Sequence, residues 1–193
     1  MFILRYNGSM SWIDQRPDDA MDGAFTAVGP ENVRTVDPAA FREAMSRLGA
    51  AVHVITTAGP AGKAGTTATA VCSVSDAPPT LLMCLNRRSQ TNPAVLHNGV
   101  FCINTLGHSG SEIADRFAGR TGIQGADRFA TGELSVLATG SPVLSAAAVA
   151  FDCRIIEVRS VGGHNVFFGA VEMVRLGPSG PVLVYHEREY KHV

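Results

Sequence analysis

Arg87-Arg88-Ser89-Gln90-Thr91-Asn92 packs two cations, two hydroxyls and two amides into six residues. Guanidinium and hydroxyl donors so close together are what a phosphate monoester needs to satisfy its oxygens. Just upstream runs Gly65 to Asn86. Its first half, Thr66 to Ser75, is crowded with small and hydroxyl-bearing side chains, and its second half, Thr80 to Leu85, is a short apolar run. Small residues pack a strand poorly and suit a place where another molecule approaches the backbone. A flat ligand lying on exposed backbone N–H groups accounts for the pattern. An edge strand with its Ser and Thr in water accounts for it too, and composition leaves both readings open. A third polar group is Gly163-His164-Asn165 in a glycine-rich turn.

These groups describe a binding surface more than a proton-transfer machine. No G-x-G-x-x-G follows a strand, and neither G-x-x-x-x-G-K-[ST] nor G-x-S-x-G occurs. No carboxylate pair stands out for acid–base work. The six histidines are scattered without metal-ligand spacing. Such a surface leaves the chemistry to a bound cofactor.

The elements that must position these residues are mostly strands. Val52 to Thr57 alternates and is β-branched; Thr66 to Ser75 and Thr80 to Leu85 read as two strands joined by a Pro-Pro turn; Val100 to Leu106 is a further strand. Ala148 to Val161 and Asn165 to Leu176 are long strands around Gly162-Gly163-His164, and Val182 to His186 is the last. Short helices are expected after the Asp37-Pro38 cap, with Phe41, Met45 and Leu48 on one face, and over 92–98 and 111–118. Strands outnumber helices and do not alternate with them, which disfavours a doubly wound sheet. A mainly β fold is predicted, an antiparallel barrel with short helices at its rim.

A chain of 193 residues, 46% apolar, makes one domain with a full core. Residues 1–34 show no sustained period and read as a mobile extension, with the domain over 35–193. The net charge of −1 gives no footprint for nucleic acid or an anionic membrane, and no apolar run approaches the roughly 20 residues of a membrane span. With no signal-peptide pattern at the start, a cytoplasmic protein is expected. Cys72, Cys84, Cys102 and Cys153 form no C-x-x-C pair and read as buried reduced thiols.

Five segments together resemble the flavin reductase family with the FMN-binding split-barrel fold. They are Phe41 to Thr57 (FREAMSRLGAAVHVITT), the 65–86 stretch, Phe101 to Leu106 (FCINTL), Gly163-His164 with Phe167-Phe168-Gly169, and Val184 to His186 (VYH). They span about residues 37 to 190, and their order and spacing are more specific than any one motif. Within the family, Thr69 to Val74 (TAVCSV), Pro78 to Leu82 (PPTLL) and Cys84 to Arg87 (CLNR) are most similar to the flavin reductases of pyrimidine utilisation.

The resemblance implies reduction of free FMN by NADH, with NADPH open, and delivery of reduced flavin to a partner monooxygenase. It implies a homodimer with FMN near the subunit interface. Two other functions stay open: a flavoprotein holding FMN tightly for its own substrate, and a non-enzymatic flavin carrier. Carried over by motif, Thr69, Ala70, Val71, Cys72 and Ser73 lie along the ring and ribityl chain. Asn86, Arg87, Ser89, Thr91 and Asn92 hold the ribityl and phosphate end, and His164 lies beside the nicotinamide. The family pattern often has Gly-Asp-His where this chain has Gly162-Gly163-His164. Asn104 is assigned to FMN, with capping of a strand end as the alternative. Tyr185 and Tyr190 cover the flavin or close the subunit interface. Cys72 is a flavin contact or a small core residue, and one of Arg87 and Arg88 is expected at phosphate with the other in water.

Overall fold

The computed structural model describes residues 33–130 and 132–193. By internal contacts the chain divides into Met1–Ala40 and Phe41–Val193. The expected extension, residues 1–34, lies almost wholly outside the described residues. Asp37 caps the first helix as its sequence suggests: its Oδ2 accepts from the backbone N–H groups of Ala39 and Ala40 at 2.9 and 3.0 Å.

In chain order the elements are α1 (Pro38–Ser46), β1 (Ala50–Ala51), β2 (His53–Thr57), β3 (Ala64–Ala68), β4 (Val71–Asp76), β5 (Pro79–Asn86), α2 (Thr91–Asn98) and β6 (Val100–Leu106). Then come α3 (Ser111–Phe117), β7 (Leu134–Val136), β8 (Pro142–Leu144), β9 (Ala147–Val161), β10 (His164–Leu176), β11 (Leu183–His186) and β12 (Glu189–His192). Seven strands form one antiparallel sheet in the order β3-β2-β6-β9-β10-β5-β4. Two small sheets, β1-β11-β12 and β7-β8, complete the fold. The fold is the expected mainly β split barrel with short helices.

The small-residue segment is where expectation and structure part. Thr66 to Ser75 reads as one strand in the sequence, but it is two. β3 pairs with β2 at one edge of the sheet, and β4 pairs with β5 at the opposite edge. Only Thr69 and Ala70 lie between them. A link that short reaches only about 10 Å, so the two edges must approach each other and the sheet curls into a split barrel. The β4–β5 ladder runs one rung past the strand, where Cys84 N donates to Ala70 O at 3.0 Å.

Two large apolar clusters and a small one around Cys102 and Val143 fill the interior among the described residues. Ile55, Met83, Phe101, Ile103 and Phe167 form one large cluster, and Val52, Leu106, Phe117, Leu144 and Leu183 belong to the other. Gly169 is required where β10 crosses the first, because a Cβ there would run into the Phe101 ring. The apolar face of α1 is open instead, with Phe41 56% and Met45 46% exposed. Cys102 and Cys153 are buried as expected, and burial pushes both thiols up, Cys153 to about 12. Cys72 departs from that expectation: it is exposed, because β4 is an edge strand. No helix of the described residues is long and apolar enough to cross a membrane.

Candidate functional site

The curl of the sheet brings three sequence-distant segments to one cleft. Thr66 to Ala70 form one wall, and Cys84, Asn86, Ser89 and His164 stand in the others. β3 is bonded to β2 on one side only. As an edge strand it leaves N–H and C=O groups available on its other side.

Asn86 ends β5 and opens a tight turn. Its Oδ1 accepts from Arg88 N at 2.9 Å, and its main-chain oxygen accepts from Ser89 N at 3.0 Å. Ser89 Oγ accepts from Thr91 N at 3.2 Å, at the start of α2. The turn holds Arg87 and Arg88 in the open, and neither forms an ion pair among the described residues. Arg87 N donates to Gly163 O at 2.9 Å, which fastens the segment to the β9–β10 hairpin. That hairpin turns at Gly162, whose φ of +53° suits glycine. His164 follows, paired through the sheet with Asn86 and Val161 and exposed at the cleft.

The cleft therefore gathers Thr69, Ala70, Asn86, Ser89 and His164 from the sequence-based set. Other members lie elsewhere. Thr91 and Asn92 are 3% and 2% exposed. Asn92 donates to Leu85 O at 3.2 Å and accepts from Asn165 Nδ2 at 3.0 Å, so its side chain joins β5, α2 and β10 beneath the surface. Val71 packs on the apolar cluster around Phe101, and Cys72 and Ser73 are exposed on β4 outside this cleft.

Asn104 corrects an expectation outright. It is 0% exposed, and its Nδ2 donates to Val54 O, Thr56 Oγ1 and Pro142 O at 3.1, 3.1 and 3.4 Å. Its Oδ1 accepts from Leu144 N at 2.8 Å. A side chain so saturated and enclosed is a core clasp between β2, β6 and β8, with nothing left to offer a ligand. Tyr185 lines two neighbouring clefts that share Thr69 with the first.

Thr66, Thr67, Ala68, Cys84 and Leu85 line the cleft without having been assigned to the site from the sequence; of these Cys84 carries the reactive group. Strand alternation could have found it, since it lies two residues before Asn86 and so on the same face. Burial raises its thiol pKa, so it stays neutral. The lining carries no carboxylate among the described residues. No described group of three or more His, Cys, Asp or Glu side chains is placed to hold a metal. Short hydroxyls, amides, alanines and strand-edge backbone, with two unpaired guanidiniums beside them, fit a flat ligand with a phosphate end.

Similarity to known proteins covers most of the chain. Residues 45–193 match the model of the flavin reductase like domain. An FMN reductase (NADH) RutF 1 of Methylorubrum extorquens is 53% identical over 156 residues, covering 81% of this chain and 77% of that protein. Among solved structures, a protein of Haemophilus somnus 129PT assigned as a flavin reductase superposes with a TM-score of 0.78 at 37% identity, covering 82% of this chain and all of that one. BorF, the flavin reductase component of a bacterial two-component tryptophan halogenase, gives a TM-score of 0.75 at 25% identity, covering 81% and 98%. The split barrel, its cleft and a match over most of the chain lead to one conclusion: this protein belongs to the flavin reductase like domain family.

Proposed function

We propose that the protein is an NADH-dependent FMN reductase that releases reduced flavin to a partner monooxygenase. The observation that carries this reading is the cleft between the Thr66–Ala70 edge and the Asn86, Ser89 and His164 side chains. The reading is supported by the relative named FMN reductase (NADH) and by BorF, which serves a second component. The similarity to RutF proteins supports a role in pyrimidine catabolism.

The hydride chemistry is supplied by the nicotinamide and by the flavin when bound. The chain's own part is binding and orientation. Ser89, Asn86 and one of the exposed guanidiniums of Arg87 and Arg88 hold the phosphate end. The Thr69–Ala70 backbone holds the ring, in a strip too narrow in side chains to keep a flat molecule away. His164 orients the nicotinamide at the opposite lip. A lining without a carboxylate matches a transfer in which the protein need not exchange a proton. A two-fold copy completes the site around Tyr185.

The test is NADH oxidation by purified protein with and without FMN, and with riboflavin at equal low concentration. Oxidation that requires flavin and prefers FMN is the expected result. Oxidation without flavin by colourless protein overturns the reading. Equal turnover on riboflavin removes the phosphate site from residues 86–92.

A further inference from the structure

Next to the first cleft, and sharing its Thr67–Thr69 wall, lies a second of about 250 Å³, walled by Arg120, Tyr185 and Tyr190. Arg120 stands just beyond α3, in a stretch without recognisable motifs. Its guanidinium is nonetheless fixed from two sides. Nη1 donates to Asp115 Oδ1 at 2.9 Å, and Cζ sits 5.5 Å from the centre of the Tyr190 ring. The Tyr190 hydroxyl donates to the same Asp115 Oδ1 at 3.1 Å. Burial, with that hydrogen bond adding, holds the Tyr190 phenol up at about 12, so it remains a neutral donor. Tyr185 meets Tyr190 edge to face, with ring centres 5.6 Å apart.

A half-exposed Asp–Arg pair adds little to stability. Anchoring one guanidinium against both a carboxylate and an aromatic face instead organises a donor at the wall of a cleft. Arginine has five N–H groups in a planar fork; the bond to Asp115 uses one, and the Tyr185 phenol also stands against the guanidinium. Two aromatic walls with a guanidinium suit a planar ring that carries acceptors on its edge. A bare phosphate makes no use of the aromatic walls. The two clefts share Thr67, Ala68 and Thr69 in their walls, which makes them neighbours.

We propose that Asp115, Arg120, Tyr185 and Tyr190 form the subsite that recognises the carbonyl-bearing edge of the flavin ring, with Arg120 as its specificity-determining donor. This rests on the flavin reading above, which already has the tyrosines as candidates to cover the flavin, and adds Asp115 and Arg120, which the motifs do not reach.

The test is flavin titration without NADH, followed by fluorescence quenching, on wild type, Arg120→Gln, Arg120→Lys and Tyr190→Phe. Thermal melts verify that each variant is folded. A ring subsite requires Arg120→Gln to weaken FMN and riboflavin by the same factor, about tenfold, the size of one hydrogen bond to a charged group. Arg120→Lys keeps the charge without the fork and loses less. Tyr190→Phe keeps the ring, frees only Asp115 and loses least. Weakening of FMN alone would place Arg120 at the phosphate and overturn the assignment. Unchanged flavin affinity with a raised KM for NADH would give the cluster to the dinucleotide and also overturn it. If folded variants change in neither respect, the cluster is only a surface lock and the inference falls. Wild type that binds no flavin overturns the functional reading itself, a result separate from all of these.

Discussion

Asn104→Ala separates a core clasp from a flavin contact. Asn104 is wholly enclosed, and its carboxamide joins three strands. Truncation removes the acceptor of Leu144 N–H, in a place water does not reach. Thr56 Oγ1 and Pro142 O lose a donor but keep each other through their own hydrogen bond, so Leu144 N–H is the principal orphan. One orphaned buried donor costs about 1–3 kcal/mol, and the space left by the carboxamide adds a cavity term, for a total of roughly 3–4 kcal/mol. In a domain of this size that lowers Tm by about 6–15 °C. The assay pairs urea denaturation with FMN titration at low temperature, where the variant is still folded. The expected outcome is a large fall in the denaturation midpoint with an FMN Kd within about twofold of wild type. An unchanged midpoint with weakened FMN binding would refute the reasoning and restore Asn104 to the flavin site.

Two further outcomes follow from the geometry. The His164 imidazole is exposed and makes no hydrogen bond among the described residues, so His164→Ala should cost no more than about 0.5 kcal/mol of stability. It should lower kcat/KM for NADH by roughly 10- to 100-fold while FMN affinity holds; collapse of FMN binding with an unchanged KM for NADH would move it to the flavin. His53 is 8% exposed, and burial lowers its pKa from 6.5 to about 4. The unfolded chain thus binds more protons than the folded one between those values. Stability is full above pH 6.5 and is lost toward pH 4, by about 3 kcal/mol. Urea midpoints at pH 7 and 4.5 should converge in His53→Gln relative to wild type, and equal slopes in the two proteins would remove His53 from the acid limb.

Much of the element pattern was legible because local chemistry decides it. The strand at Val100–Leu106, the helix at Ser111–Phe117, the Asp37 cap and the long β9–β10 hairpin follow from period, capping and turn residues that act over a few positions. The polar content of Arg87 to Asn92 also pointed to a binding segment, because so many polar groups in six residues have few other uses. What those donors do individually was decided by burial, which is not a local property. Asn86 and Ser89 reach the cleft, while Asn92 and Asn104 turn inward and clasp strands. An asparagine looks the same in either role until the surrounding strands are in place. The break at Thr69–Ala70 was equally hidden. Nothing in ten small residues says that the first half pairs with β2 and the second with β5 at the far edge of the sheet. Only the complete strand order brings those edges together. That closure sets Thr69 beside His164 and Tyr185, which lie about a hundred residues further along the chain, and makes a cleft from segments that are separately ordinary.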